Sequence, residues 1–362
     1  MSTARVFIRL SFLLLATLVV FNSCSDKGTG SGGNNPPPTS TRYRLTDFAG
    51  TWDYHILNSG STDAGNFWAY GTWEIDTIGN VTALPQTASN GDNEPNCDGC
   101  VLLIDSVTGV VTIQQIEDFH AVMGKSKNIM VGAATGDGGN HALLVLSKRG
   151  QVTFGVPDLA GTWDFHGLCA GYPPAWSGWA YGKGHITGGG ELIFDSIIRS
   201  NQDEAVPLPS TVTITPAGVV DIGHGIMNSD KNLIVHTMSD GGGGYSLGAF
   251  TKRISSFDLA DLAGTWMVHG LVSGNTPDSG DWIGWNRFTL AIGSNGGMTI
   301  TSFRDSDGDT TVPQGSFYAT VTPPGIMTFG YFHGAIAEGS ELFVGVEPAD
   351  GGGYELVIGL KR

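Results

Sequence analysis

Charge is scarce in this chain. Lys, Arg, Asp and Glu together make up 14 % of its 362 residues, too few for a solenoid of charged helices. Basic residues are scarcer still, 18 against 34 acids. The resulting net charge of −16 excludes a partner recognised through its phosphate backbone. There are only four cysteines, and no stretch has the 3.6-residue periodicity of a long amphipathic helix. The one apolar run, Leu10 to Phe21, is too short to span a bilayer. Glycine is the excess, at 55 residues, about twice average usage and too many helix breakers for a bundle. With 40 % hydrophobic residues the chain can still bury a core, so a globular all-β protein of two or three domains is expected.

The first residues read as an address. Arg5 and Arg9 flank the short apolar run, which ends at Phe21-Asn22-Ser23-Cys24, and a low-complexity Gly28 to Ser40 stretch follows. The arrangement resembles a bacterial lipoprotein signal, in which the cysteine becomes the lipidated first residue. An ordinary secretory signal with an incidental cysteine is the alternative. Ser23 fits the pattern, whereas Phe21 stands where Leu is usual. The resemblance implies that residues 1–23 are removed, that Cys24 is the lipidation site and that 24–43 form a flexible tether. Ser25, where Asp would favour inner-membrane retention, implies the outer membrane. Losing two arginines and no acid would take the net charge from −16 to −18.

An internal repeat dominates the rest. Leu45-Thr-Asp-Phe-Ala-Gly-Thr-Trp52, Val156-Pro-Asp-Leu-Ala-Gly-Thr-Trp163 and Leu259-Ala-Asp-Leu-Ala-Gly-Thr-Trp266 lie 111 and 103 residues apart. Each is followed three residues past the Trp by His55, His166 or His269, then by a second Trp cluster at Trp68, Trp179 or Trp285. Late histidines (His120, His224, His333) precede turns at Lys127-Asn128, Lys231-Asn232 and Ser340-Glu341. The units close on Lys-Arg at Arg149, Arg253 and Arg362. This gives repeats at 44–149, 150–256 and 257–362.

Within the second repeat, short β-rich runs bounded by Gly, Asn, Asp and Pro predict strands at 162–168, 178–186, 191–198, 211–215, 219–223, 225–227, 233–238 and 245–251. Eight sequential antiparallel strands either close into a barrel or form two propeller blades. The expectation is three tandem eight-stranded meander barrels, with one six-bladed β-propeller as the alternative. Gly-Thr-Trp resembles the opening of the first strand in lipocalin- and avidin-like barrels. That resemblance implies an Arg from the closing end over the Trp, so Trp52 with Arg149, Trp163 with Arg253 and Trp266 with Arg362 are the expected closure pairs. A string of barrels would leave the histidines in three separate places, whereas a propeller would converge them on one axis.

Candidate chemistry is sparse. Two recurring histidines per unit lack a recurring third ligand, so no metal or other cofactor is expected. Cys97-Asp-Gly-Cys100 occurs once, with no second pair and no following His. It reads as a local disulfide across a turn or as a reduced pair. Cys169 is the odd thiol. Asp305-Ser-Asp-Gly-Asp309 resembles the start of a calcium loop, but Ser316 stands where the closing Glu belongs, so a hairpin turn is expected. Gly124-Lys-Ser126 lacks the first glycine of a P-loop, because Phe119 occupies that position. Trp176 and Trp282, in Gly/Pro-rich hairpins, are the candidate ligand-contacting tryptophans. No catalytic constellation recurs. The sequence therefore predicts a non-catalytic, membrane-anchored envelope lipoprotein. Its expected role is structural, or binding of a polysaccharide or small apolar ligand with avidity from three copies. A propeller enzyme or sensor with a central-channel site is the alternative.

Overall fold

The computed structural model describes residues 42–171, 177–201, 203–204, 206–240, 243–253, 256–274, 282–315, 317–323, 325–339, 341–349 and 353–362. Cys24 and Trp176 lie outside them. The first repeat holds β1 (Gly50–Ser59), β2 (Phe67–Ile75), β3 (Val81–Ala83), β4 (Thr87–Ala88), β5 (Leu102–Ile104), β6 (Val110–Ile113), β7 (Ile116–Met123), β8 (Ile129–Thr135) and β9 (His141–Lys148). The second holds β10 (Gly161–Ala170), β11 (Gly178–Ile186), β12 (Glu191–Arg199), β13 (Ser210–Thr211), β14 (Val219–Val220), β15 (His224–Met227), β16 (Leu233–Ser239) and β17 (Tyr245–Lys252). The third holds β18 (Gly264–Ser273), β19 (Gly284–Ile292), β20 (Gly297–Asp305), β21 (Phe317–Tyr318), β22 (Thr320–Thr322), β23 (Ile326–Phe329), β24 (Phe332–Ile336), β25 (Leu342–Pro348) and β26 (Tyr354–Lys361).

Each repeat forms one antiparallel sheet in which the first strand pairs with the last: β1 with β9, β10 with β17 and β18 with β26. A propeller would break the sheet after four strands, so first-to-last pairing removes that alternative. The free edges approach one another as well. Asn80 bridges Val101 in the first sheet and Ile214 bridges Val220 in the second. In the third, β21 pairs with β20 and the next strand, β22, with β23. The result is three nearly closed barrels.

One end of every barrel carries the same plug. The indoles of Trp52, Trp163 and Trp266 are fully buried. Each Nε1–H donates to a carbonyl four residues earlier, Phe48 at 2.6 Å, Leu159 at 2.8 Å and Leu262 at 2.8 Å. This ties the indole to the short helical turn before the strand (Leu45–Asp47, Val156–Leu159 and Leu259–Leu262).

The cation over each ring is the penultimate lysine, not the expected arginine. Lys148, Lys252 and Lys361 hold Nζ 5.5, 5.4 and 5.6 Å from the indole centroids. The same ammonium groups donate to the carbonyls of Asp47, Asp158 and Asp261 in those turns. An amine therefore joins the last strand to the first by a cation–π contact and a hydrogen bond together.

The arginines are diverted by the residue after the tryptophan. Arg149 grips Asp53 with Nε and Nη2, both at 2.7 Å, and Arg253 grips Asp164 in the same two-pronged way. A planar guanidinium matches a carboxylate better than a ring face already covered by lysine. In the third repeat Met267 takes the Asp position, and Arg362 is released to bond the Tyr43 hydroxyl (2.8 Å) and the Met123 carbonyl (2.9 Å) of the first repeat.

The glycine of Gly-Thr-Trp has a backbone reason. Gly50, Gly161 and Gly264 sit at φ near +131°, +136° and +139°, where L side chains are strained. A Cβ there would also meet the Cε of the plug lysine at 3.0–3.1 Å. Gly161→Ala is therefore expected to cost about 1–3 kcal/mol in urea unfolding of the whole chain. Gly188→Ala, in a turn with open space at the Cβ position, should leave the midpoint within about 0.5 kcal/mol.

Candidate functional site

Strand alternation sends Trp52 into its barrel and His55, three residues on, to the outside. Yet His55 is 3 % exposed and His166 and His269 are 0 % exposed, because a neighbouring barrel covers each. The outward faces of all three repeats share one core, with Leu57, Val131 and Val145 meeting Leu168, Val235, Leu247, Leu271, Val344 and Leu356. Barrels are present as expected, but they are not strung out independently. The opening strands β1, β10 and β18 touch one another at the centre.

Each seam in this ring joins an opening-strand histidine to the late histidine of the next repeat. His55 Nε2 hydrogen-bonds the carbonyl of His224 at 2.6 Å. His166 Nε2 lies 3.0 Å from His333 Nδ1, and His269 Nε2 lies 2.9 Å from His120 Nδ1. The order runs first to second, second to third and third to first, so the ring closes.

Aromatic rings line the same seams. Tyr70 stacks on His224 at 4.5 Å and Tyr181 on His333 at 3.7 Å. Trp68 donates to Ser239 of the second repeat and Trp285 to Thr135 of the first. The equivalent acceptor position in the third repeat is Pro348, which leaves the Trp179 Nε1 buried without a partner. The late histidines and their partners are spread over three seams rather than meeting at one point. Among the described residues no group of three or more His, Cys, Asp or Glu could hold a metal.

Burial holds these imidazoles neutral. It pushes His55 down to about 4, His269 to about 3 and His333 to about 4, and His166 well below its ordinary value of 6.5. Nearby charge adds to this, Arg362 for His269 and Arg253 for His333.

Above the shared plug the three barrel interiors diverge. In the first, the Tyr54 hydroxyl donates to Gln86 Oε1 at 3.2 Å, and burial raises the phenol's pKa well above 10. In the second, His236 is packed between Phe165 and Phe250, with neither ring nitrogen hydrogen-bonded. Burial pushes it down to about 3. In the third, a buried Asn286 donates to the buried Glu355 at 2.7 Å.

The remaining candidates are dispersed. Half-buried Trp282 donates from Nε1 to Asp307 at 3.2 Å. The Asp305 carboxylate accepts from the backbone N–H groups of Asp307 and Asp309, which makes that segment a self-bonded turn, and Ser316 lies outside the described residues. Cys97 and Cys100 are joined by a disulfide. The Cys169 thiol is buried and pushed up to about 12, mainly by desolvation. Two cavities lie between repeats at the plug end. One, of about 160 Å³, is lined by Asp53, Lys148, Arg149 and Phe154. The other, of about 330 Å³, has the equivalent turn residues Asn128, Asn232 and Glu341 around an apolar floor of Ile129, Leu342 and Leu360.

The sign of the pH dependence follows from the depressed histidines. They stay neutral in the folded chain, whereas unfolded histidine takes a proton near 6.5. Stability is thus intact above pH 6.5 and is lost as pH falls from there toward 4, by about 1.4 kcal/mol per pH unit for each such group. The melting temperature, followed by circular dichroism, should drop progressively between pH 6.5 and 5. It should drop less in a His120→Gln/His269→Gln variant. A flat profile over that window in the unmodified chain would contradict the seam account.

No family model matches the chain, and no curated protein matches it. Among solved structures, Transferrin Binding Protein B of Haemophilus parasuis Hp5 aligns at 10 % identity and a TM-score of 0.27 over 86 % of this chain and 75 % of its own. Isotype 1 transferrin binding protein B from serogroup B Neisseria meningitidis aligns at 11 % and 0.27 over 86 % and 76 %. A protein of unknown function from Nostoc punctiforme aligns at 12 % and 0.21 over 57 % of this chain and 98 % of its own. Likeness at this level carries no argument about what the chain binds.

Proposed function

We propose that the chain is a non-catalytic lipoprotein of the bacterial cell envelope, anchored to the outer membrane through Cys24, whose three-barrel body is a rigid platform for ligand binding. The observation that carries this is the contrast between the common plug and the barrel interiors above it. The plug of glycine, tryptophan, lysine and helical turn is repeated three times with the same bonds. The interiors above it differ in every repeat. A common frame with divergent interiors suits binding, since function is carried by the sites grafted onto a fold. The opposite rim also bears the Trp282–Asp307 pair. A half-buried indole held by a carboxylate can stack on a sugar ring or cover an apolar ligand.

The ligand class proposed is thus a polysaccharide or a small apolar molecule, met at Trp282 and, by sequence, Trp176. A glycan array and a titration with the apolar fluorophore 1-aminoanthracene test both branches on the mature chain. Binding of either class, weakened at least tenfold by Trp282→Ala, is the expected result. No binding of any glycan or of the fluorophore at millimolar concentration would overturn the binding role and leave a purely structural one.

A further inference from the structure

The ends of the body differ in charge as well as in packing. Fifteen Lys and Arg residues follow position 41, and eleven of them belong to the plug end, including Arg42, Arg44, Lys125, Lys127 and the three plug lysines. The other four are Lys183, Arg199, Arg287 and Arg304. Asp47, Asp53, Asp158 and Asp164 are ion-paired with these cations, and further acids such as Asp76, Asp105, Asp230 and Glu341 stand at the same end, so eleven cations face thirteen acids and the plug end is close to neutral. Most of the net negative charge sits toward the opposite rim, where acids such as Asp92, Glu94, Asp203, Asp240, Asp305 and Glu347 outnumber the nearby cations. An anionic surface would repel that rim and admit the balanced end.

The plug end also exposes large apolar side chains at its turn tips. Ile78 is 63 % exposed in the turn after β2, Val107 is 72 % exposed in the turn after β5, and Tyr318 is 64 % exposed beside the turn that opens β20. The chain enters the body on this same face. Tyr43 N–H donates to the Ser106 carbonyl at 3.0 Å, and Lys127 Nζ donates to the Arg42 carbonyl at 3.0 Å. The seventeen residues between Cys24 and Arg42 can span at most about 60 Å when fully extended, so an anchored Cys24 would keep this face within that reach of its bilayer.

We propose that the plug face, with Ile78, Val107 and Tyr318 at its tips and Arg42 and Lys125 beside them, docks on an anionic lipid surface. The proposal rests on the anchoring reading for its occupant but uses a different part of the chain. Shallow insertion of a few apolar tips, together with basic side chains at the headgroups, is a weak interaction that a tether makes effective through local concentration.

The test is co-sedimentation of the mature chain carrying Cys24→Ser, so that no acyl chain contributes, with phosphatidylethanolamine/phosphatidylglycerol vesicles and with all-phosphatidylcholine vesicles. Binding to the anionic vesicles is expected despite the chain's net negative charge. It should fall at least fivefold in 0.5 M NaCl and at least fivefold in Ile78→Asp/Val107→Asp/Tyr318→Asp. Arg42→Glu/Lys125→Glu should weaken it similarly, with melting temperature checked for each variant. Tyr331→Asp, at the opposite rim and 83 % exposed, should bind like the parent. Absence of vesicle binding, or binding that neither set of plug-face substitutions alters, would overturn the proposal. Mass spectrometry of the unmodified chain for an acyl group on Cys24 decides the anchoring reading separately. An acylated chain whose Cys24→Ser form ignores vesicles keeps the anchor and loses the docking face, and the reverse result does the opposite.

Discussion

Burial of both faces of the opening strands is the constraint on which the rest of the structure depends. From the tryptophan onward, nearly every residue of β1, β10 and β18 is buried, although alternate side chains point to opposite sides of a sheet. One face fills the barrel and the other meets the neighbouring barrels. The second repeat alone contributes Leu168, Leu233, Val235 and Leu247 to the shared core, with Ala170 and Ala249 between them. At about 1.5–3 kcal/mol for each large side chain, exposing those four would forgo about 6–12 kcal/mol, comparable to the entire stability of a small domain. The seam histidines follow from the same arrangement, since they are outward residues that the packing leaves no water to solvate.

Pattern within a repeat was legible in the sequence. All eight strands expected in the second repeat are present, and their bounds differ mainly at β13 and β14, where bridges replace regular pairing. Turn glycines, aspartates and alternation are local signals, and the local backbone obeys them. The plug was half legible. The tryptophan and its glycine announce a barrel opening, but the cation over the ring is the lysine one residue before the arginine that the resemblance implies. Asp53 and Asp164, directly after the tryptophans, were the available signal, because a carboxylate facing the last strand claims the arginine and leaves lysine for the ring.

The seams were not legible, and the reason is physical. Which outward histidine meets which depends on contacts more than 140 residues apart, to which no local periodicity responds. Alternation from Trp52, Trp163 and Trp266 sets His55, His166 and His269 on the outer faces of the barrels. Small departures from threefold regularity then acquire meaning only in the assembled ring. Met267 in place of aspartate frees Arg362 to reach Tyr43 and the first repeat, and Pro348 in place of a hydroxyl strands the Trp179 indole N–H. A repeated frame is thus adjusted at single positions to close on itself, while the barrel interiors vary.

The central claim is that three barrels form one cooperative body. Its most direct test compares calorimetric unfolding of residues 41–362 with that of residues 150–256 alone. The account predicts one transition for the longer chain, with matching calorimetric and van't Hoff enthalpies. It also predicts an isolated repeat that aggregates or melts far lower. Three separable transitions, or a lone repeat as stable as the whole, would contradict it and return the protein to a string of independent barrels.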